Sequence, residues 1–219
     1  MDTGKLPVMV IGTGLLARQV AEILNLQDFV VYGFLSLNPN EPTQELNDIP
    51  ILGNIQDNTF QKLLKTERMN FIVADIETKV SERESLKITK LSGNQPISVI
   101  HHSAILSQNL RLGVGNIIHA GAIIGINSDL ASFIHLGAGC VIEADCRIDS
   151  RVIISSKAVI GSGAVIEEDA FIGSGSIISP YIKIGKGAKI APGSNVISSV
   201  SPNITVFGNP ATELKTKKT

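Results

Sequence analysis

From Ile100 onward an aliphatic residue returns at every sixth position, through Leu106, Leu112, Ile118, Ile124, Leu130, Leu136, Ile142, Ile148, Ile154, Ile160, Ile166, Ile172, Ile178 and Ile184 to Ile190 and Val196. The residue two places earlier is mostly small, as at Ala122, Cys140, Ala158, Ala164 and Ala188, and glycine often follows, at 113, 125, 137, 161, 173 and 185. Neither a helical period nor strict alternation holds one register for so long. A six-residue period is the signature of stacked coils, three hexapeptides to a triangular turn, with the aliphatic side chain inside and the small one beside it. Glycine is expected at the corners to supply positive φ.

Residues 1–99 have another grain. Apolar runs suited to strands (PVMVIG, FVVYGFLS, NFIVADI, PISVI) alternate with helical patterns (LLARQVAEILN, DNTFQKLLKTE, SERESLKITKLSG). Strand-helix alternation predicts a small parallel sheet. Gly12, Thr13 and Gly14 follow the first strand and open a helix, a place where main-chain N–H groups can meet a phosphate. A tight turn needed only for packing explains the same residues. Dinucleotide binding would require an acidic residue at the end of the second strand, where Ser36 and Leu37 stand.

Composition narrows the partners. With 19 basic and 20 acidic residues the net charge is -1, which gives no footprint for nucleic acid or an anionic membrane. No apolar run approaches the roughly 18 residues of a membrane span, and the first residues lack a signal-peptide core, so a cytoplasmic protein is expected. Cys140 and Cys146 lack partners at zinc-ligand spacing, and no metal is expected. The outward neighbours of the aliphatic positions include Ile117, Ile123, Val141, Val159, Val165, Phe171 and Ile177, too much apolar surface for a monomer, so a homotrimer is expected.

The opening PVMVIGTG, DIPILGN at 48–54, VIHHSAILS at the junction and VSPNITVFGNPA near the end resemble the sugar O/N-acyltransferases of the sialic-acid and bacillosamine type. The resemblance spans nearly the whole chain. It implies a Rossmann-like nucleotide- or sugar-binding domain over 1–99, then a left-handed parallel β-helix of hexapeptide repeats over 100–219. It also implies acetyl-CoA as donor and a sugar or nucleotide-linked sugar as acceptor. In that family the general base is a histidine after the glutamate of an Ile-Glu-His-Glu/Asp stretch. Here the stretch reads Ile142-Glu143-Ala144-Asp145, and a second family histidine falls at Ile153. Alanine cannot accept a proton. The resemblance places CoA along the turns Gly161-Ser162, Gly173-Ser174 and Ala191-Pro192, against main-chain amides, and the acceptor near Gly12, Thr13, Gly14 and Ser36.

Glu143 and Asp145 are thus retained as candidate orienting carboxylates, and His135 and His119 are the candidates for a relocated base. Both histidines flank inward aliphatics and should point outward, so polarity at a surface or subunit interface is the favoured account of them over catalysis. Two functional readings stay open: an acetyl-CoA-dependent acyltransferase with a relocated or lost base, and a non-catalytic trimeric homologue serving as a binding or assembly module.

Overall fold

The computed structural model describes residues 7–27, 29–40, 45–65 and 69–214. It divides into two compact units, one ending at His102 and the other beginning at Ser103. The last residues of the basic tail, 215–219, lie outside the described residues.

The first unit runs β1 (Val8–Ile11), α1 (Leu15–Asn25), β2 (Val31–Ser36), β3 (Glu45–Leu46), β4 (Ile49–Asn54), α2 (Asn58–Leu64), β5 (Asn70–Val73), α3 (Thr78–Ser92) and β6 (Val99–Ile100). Its sheet has the order β3-β4-β2-β1-β5, parallel except for the β3–β4 hairpin. All four residues of β1 are buried, as a central parallel strand covered on both faces requires. Helix α1 buries Leu16, Ala17, Val20, Ala21, Ile23 and Leu24, spaced at three and four along one face. One core cluster gathers Met9, Ile11, Leu35, Leu64, Phe71 and Ile88. The hairpin has no counterpart in the strand reading above. Its signal lies in Asn47 and Asp48, with φ of 52° and 62°, the two-residue turn that matches strand twist.

The second unit stacks two-residue strands into three parallel sheets. The first face holds Ile117–Ile118, His135–Leu136, Ile153–Ile154, Phe171–Ile172 and Lys189–Ile190 in register. The second holds Ile105–Leu106, Ile123–Ile124, Val141–Ile142, Val159–Ile160, Ile177–Ile178 and Asn195–Val196. The third holds Arg111–Leu112, Asp129–Leu130, Arg147–Ile148, Val165–Ile166 and Lys183–Ile184. The second residue of each central pair is fully buried, as in Ile118, Ile142, Ile154, Ile160, Ile172 and Ile190. Small polar residues tolerate the interior because adjacent coils satisfy them: Asn116 donates to the carbonyls of Gly113 and Ala131 and accepts from the amide of Ile134.

Positive φ does not fall on the glycines the sequence suggested. It recurs every sixth residue from Gly115, through Gly121, Asn127, Phe133, Gly139, Asp145, Arg151, Lys157, Gly163, Asp169, Gly175 and Tyr181 to Gly187 and Gly193. The glycines at 113, 125, 137, 161, 173 and 185 meet a different need. A Cβ on Gly137 would lie 2.4 Å from the amide nitrogen of Ser156, and one on Gly125 2.7 Å from that of Ala144. They let adjacent coils approach. No helix among the described residues is long and apolar enough to cross a membrane.

Candidate functional site

The coils place the candidate residues on two edges of the prism. Residues 143–146 join the second face to the third, whereas His119 opens the turn from the first face to the second. His135 projects from the first face, in register with Ile117 and Ile153. The second face separates the histidines from Glu143 and Asp145, and one chain does not bring the four together.

At the second–third edge the polar side chains around Ala144 are engaged with an adjacent coil. Glu143 Oε2 accepts from the Ser162 amide at 2.8 Å and from its Oγ at 2.7 Å. These two bonds, first the side-chain one, hold the exposed carboxyl below its usual range. Asp145, at φ 61°, accepts from Asn127 Nδ2 at 3.1 Å. Cys146 is buried with its thiol 3.3 Å from the Gly161 carbonyl oxygen, and burial pushes that thiol up. Ala144 sits half-buried among them. The edge offers carboxylates fixed as acceptors and an inert thiol, and no imidazole. Tyr181, which the sequence reading passed over, lies on the same edge with its ring against Gly163.

The histidines form a pair of their own, ring centroids 5.0 Å apart and tilted by 47°. Burial, and secondarily His119, push His135 down to about 4. Its buried Nε2 has no hydrogen-bond partner among the described residues. A folded-state value below the unfolded one means that the neutral form stabilises the fold. That contribution is fully present above about 6.5 and is lost progressively as pH falls from there through about 4. Thermal unfolding midpoints measured across this window should fall for the wild type. They should fall less for His135→Ile, which continues the aliphatic column.

The turns expected to meet CoA are divided likewise. Gly161 and Ser162 lie on the second–third edge, and Gly173, Ser174 and Ala191 on the first–second edge. Most of their amides are engaged between coils: Gly161 donates to Ile178, Gly173 to Ile190 and Ala191 to Val206, at 2.8 to 2.9 Å, while Ser162 donates to Glu143. The Ser174 amide alone of these has no partner among the described residues, and Pro192 has no N–H.

In the first unit a cleft opens at the C-terminal ends of β1, β2 and β5, lined by Thr13, Gly14, Leu15, Asn38, Ala74 and Asp75 among others. This is where open α/β sheets place ligands. Gly12 is fixed by packing, since a Cβ there would lie 2.6 Å from the Ala74 carbonyl oxygen. Gly14 has open space, so its main chain faces the cleft bare. Ser36 is buried and turned away, its Oγ bonded to the amide and the carbonyl of Asn38, both at 2.9 Å.

Residues 163–198 match the family described as bacterial transferase hexapeptide (six repeats). No curated protein matches the sequence. Among solved structures, a histidine-to-alanine mutant of GDP-perosamine N-acetyltransferase from Caulobacter crescentus, in complex with CoA and GDP-perosamine, is 24% identical, with 96% of this chain and 97% of that one covered at a TM-score of 0.87. The acetyltransferase domain of PglB from Neisseria gonorrhoeae, in complex with acetyl coenzyme A, is 24% identical over 96% and 100% of the two chains, with a TM-score of 0.85. WeeI from Acinetobacter baumannii is 20% identical over 96% and 100%, with a TM-score of 0.70. The chain therefore has the fold of these solved structures, a Rossmann-like unit followed by a left-handed parallel β-helix, and its match to the hexapeptide family lies within residues 163–198.

Proposed function

We propose that this chain is an acyltransferase that uses acetyl-CoA and a nucleotide-linked amino sugar, working slowly and without a histidine base, as a cytoplasmic homotrimer. The observation that carries the reading is the match of both units to a perosamine N-acetyltransferase whose histidine-to-alanine mutant is in complex with CoA and GDP-perosamine. This chain has alanine at 144 by nature, where the family resemblance puts the base. Loss of an imidazole removes a proton acceptor and leaves binding surfaces in place.

The residues divide the work as follows. The main chain at Thr13 and Gly14, at the start of α1, takes the phosphate of the acceptor, Gly12 closes the turn with its amide on the Leu35 carbonyl, and Ser36 shapes the neighbouring loop through Asn38. In the trimer, Gly161 and Ser162 of one copy and Gly173, Ser174 and Ala191 of the next line the path of CoA, with the Ser174 amide as donor. The acceptor amine attacks the thioester carbonyl, the C–S bond breaks and the thiolate leaves, and the proton on nitrogen passes to solvent. Glu143 and Asp145 orient the amine.

Assembly follows from the faces. The second face presents Ile105, Ile123, Val141, Val159 and Ile177, of which Ile105 is 63% exposed. The third carries ion pairs such as Arg111–Asp129 at 2.8 Å and Lys183–Glu167 at 2.6 Å. An apolar face next to a charged one fits burial against neighbouring copies. Light scattering at micromolar concentration should give three times the chain mass; a monomer mass would refute it.

Calorimetric titration with acetyl-CoA, followed by a thiol-release assay with amino-sugar nucleotides, tests the whole reading. Binding with slow transfer is the expected result, and no binding at all would end it. Binding with no transfer to any such acceptor establishes the non-catalytic module, the reading favoured by the engagement of Glu143 with Ser162.

A further inference from the structure

We infer that Tyr181 is a stacking platform for the acceptor, receiving the apolar face of an aminopyranose whose amino group is held by the Glu143 carboxylate. The residue is 83% exposed and has φ 60°. The repeat imposes that conformation on every sixth residue, Phe133 included, and at this corner the residue that takes it is an exposed tyrosine. The same corner column holds Asn127, Asp145 and Gly163, residues that take this conformation more readily. Gly163 also makes room for the ring. A Cβ there would lie 2.5 Å from Tyr181 Cδ1 and 2.6 Å from Cε1, so only glycine lets the ring lie back over that coil. One residue away, Ser162 holds Glu143. Aromatic face and fixed carboxylate thus share one edge.

Charge selects the ligand. The corner residues 125–128, 143–146, 161–164 and 179–182 include Glu143 and Asp145 and no lysine or arginine. An ammonium or a polyol is attracted there, and of CoA only the uncharged pantetheine arm, not the phosphates, suits the neighbouring Gly161 and Ser162. Stacking on the ring supplies apolar contact that carboxylates cannot.

The inference rests on the reading of the acceptor as an amino sugar, and the test separates the two. The chain has two tyrosines and no tryptophan, so Tyr32→Phe leaves Tyr181 as the sole emitter. In that full-length protein, glucosamine should change tyrosine emission saturably, with glucose weaker and CoA without effect. By calorimetry, Tyr181→Asn should bind glucosamine roughly tenfold more weakly. Its unfolding midpoint should rise, because asparagine accepts the left-handed conformation better. Unchanged glucosamine affinity in Tyr181→Asn overturns the inference. So does emission that answers CoA alone, which would assign the ring to the donor, or a change of assembled mass in the variant, which would assign it to a contact between copies. Calorimetry with CoA on the same proteins checks the donor half of the proposed function independently.

Discussion

Ala144→His should raise acetyl transfer to an amino-sugar nucleotide by about 10²–10⁴-fold, the usual worth of a positioned general base. The surroundings are prepared for it. Asp145 follows directly, and Glu143 is fixed by Ser162 through Oε2, leaving Oε1 without a partner among the described residues. A carboxylate so placed can hold an imidazole in one tautomer and raise its basicity. Ala144 is half-buried at a corner, so the larger side chain should leave the unfolding midpoint within a few degrees of wild type. Thiol release measured against pH should then show a new ionisation near that of histidine, and Glu143→Gln in the same variant should remove most of the gain. Hydrolysis of acetyl-CoA should respond more readily than transfer, because it needs no acceptor in place. A variant that binds CoA and acceptor yet shows unchanged release at all pH values would refute the placement of the reacting centre. Robust wild-type transfer abolished by His119→Ala or His135→Ala would establish a relocated base.

The β-helix was legible because its core rule is strictly periodic: Ile118, Ile142 and Ile172 are inside for the same reason that their six-residue step repeats. The division of the donor turns follows from the same coil length, although the sequence reading set all three turns along one path. Gly161 follows Glu143 by one coil and Gly173 shares a column with His119, because a coil spans eighteen residues, as His135 against Ile153 demonstrates. What the period does not contain is which atoms adjacent coils consume. The amides of Gly161, Gly173 and Ala191 look available in a sequence and are bound in the fold. Ser36 had the right position to meet a ligand, but its hydroxyl closes a local turn with Asn38. Tyr181 was passed over because a tyrosine at a corner resembles any surface residue until its φ and its contact with Gly163 are known.

The two glycine positions of the repeat should differ sharply in their tolerance of a methyl group. Gly137→Ala should destabilise by about 3 kcal/mol or more, the upper range of overpacking, because its Cβ would stand 2.4 Å from the amide nitrogen of Ser156 and 2.8 Å from the carbonyl carbon of Ser155. Both obstacles are main chain and cannot rotate away. Relief requires the two coils to part, which would stretch the Gly137 amide bond to Ile154, now 2.8 Å. Gly139→Ala, two residues on, meets only Lys157 Cγ at 3.9 Å. Its penalty is the left-handed conformation alone, roughly 1–2 kcal/mol. Asp145, Arg151 and Lys157 already adopt that conformation in neighbouring turns. Because each coil touches only its neighbours, parting one pair in the middle of the stack interrupts the coupling between the coils on either side. Gly137→Ala should therefore broaden the denaturant transition as well as lower its midpoint, and Gly139→Ala should shift it modestly at unchanged slope. Equal losses in the two variants would mean that backbone dihedral strain, rather than the approach of adjacent coils, selects glycine after the inward aliphatic residue.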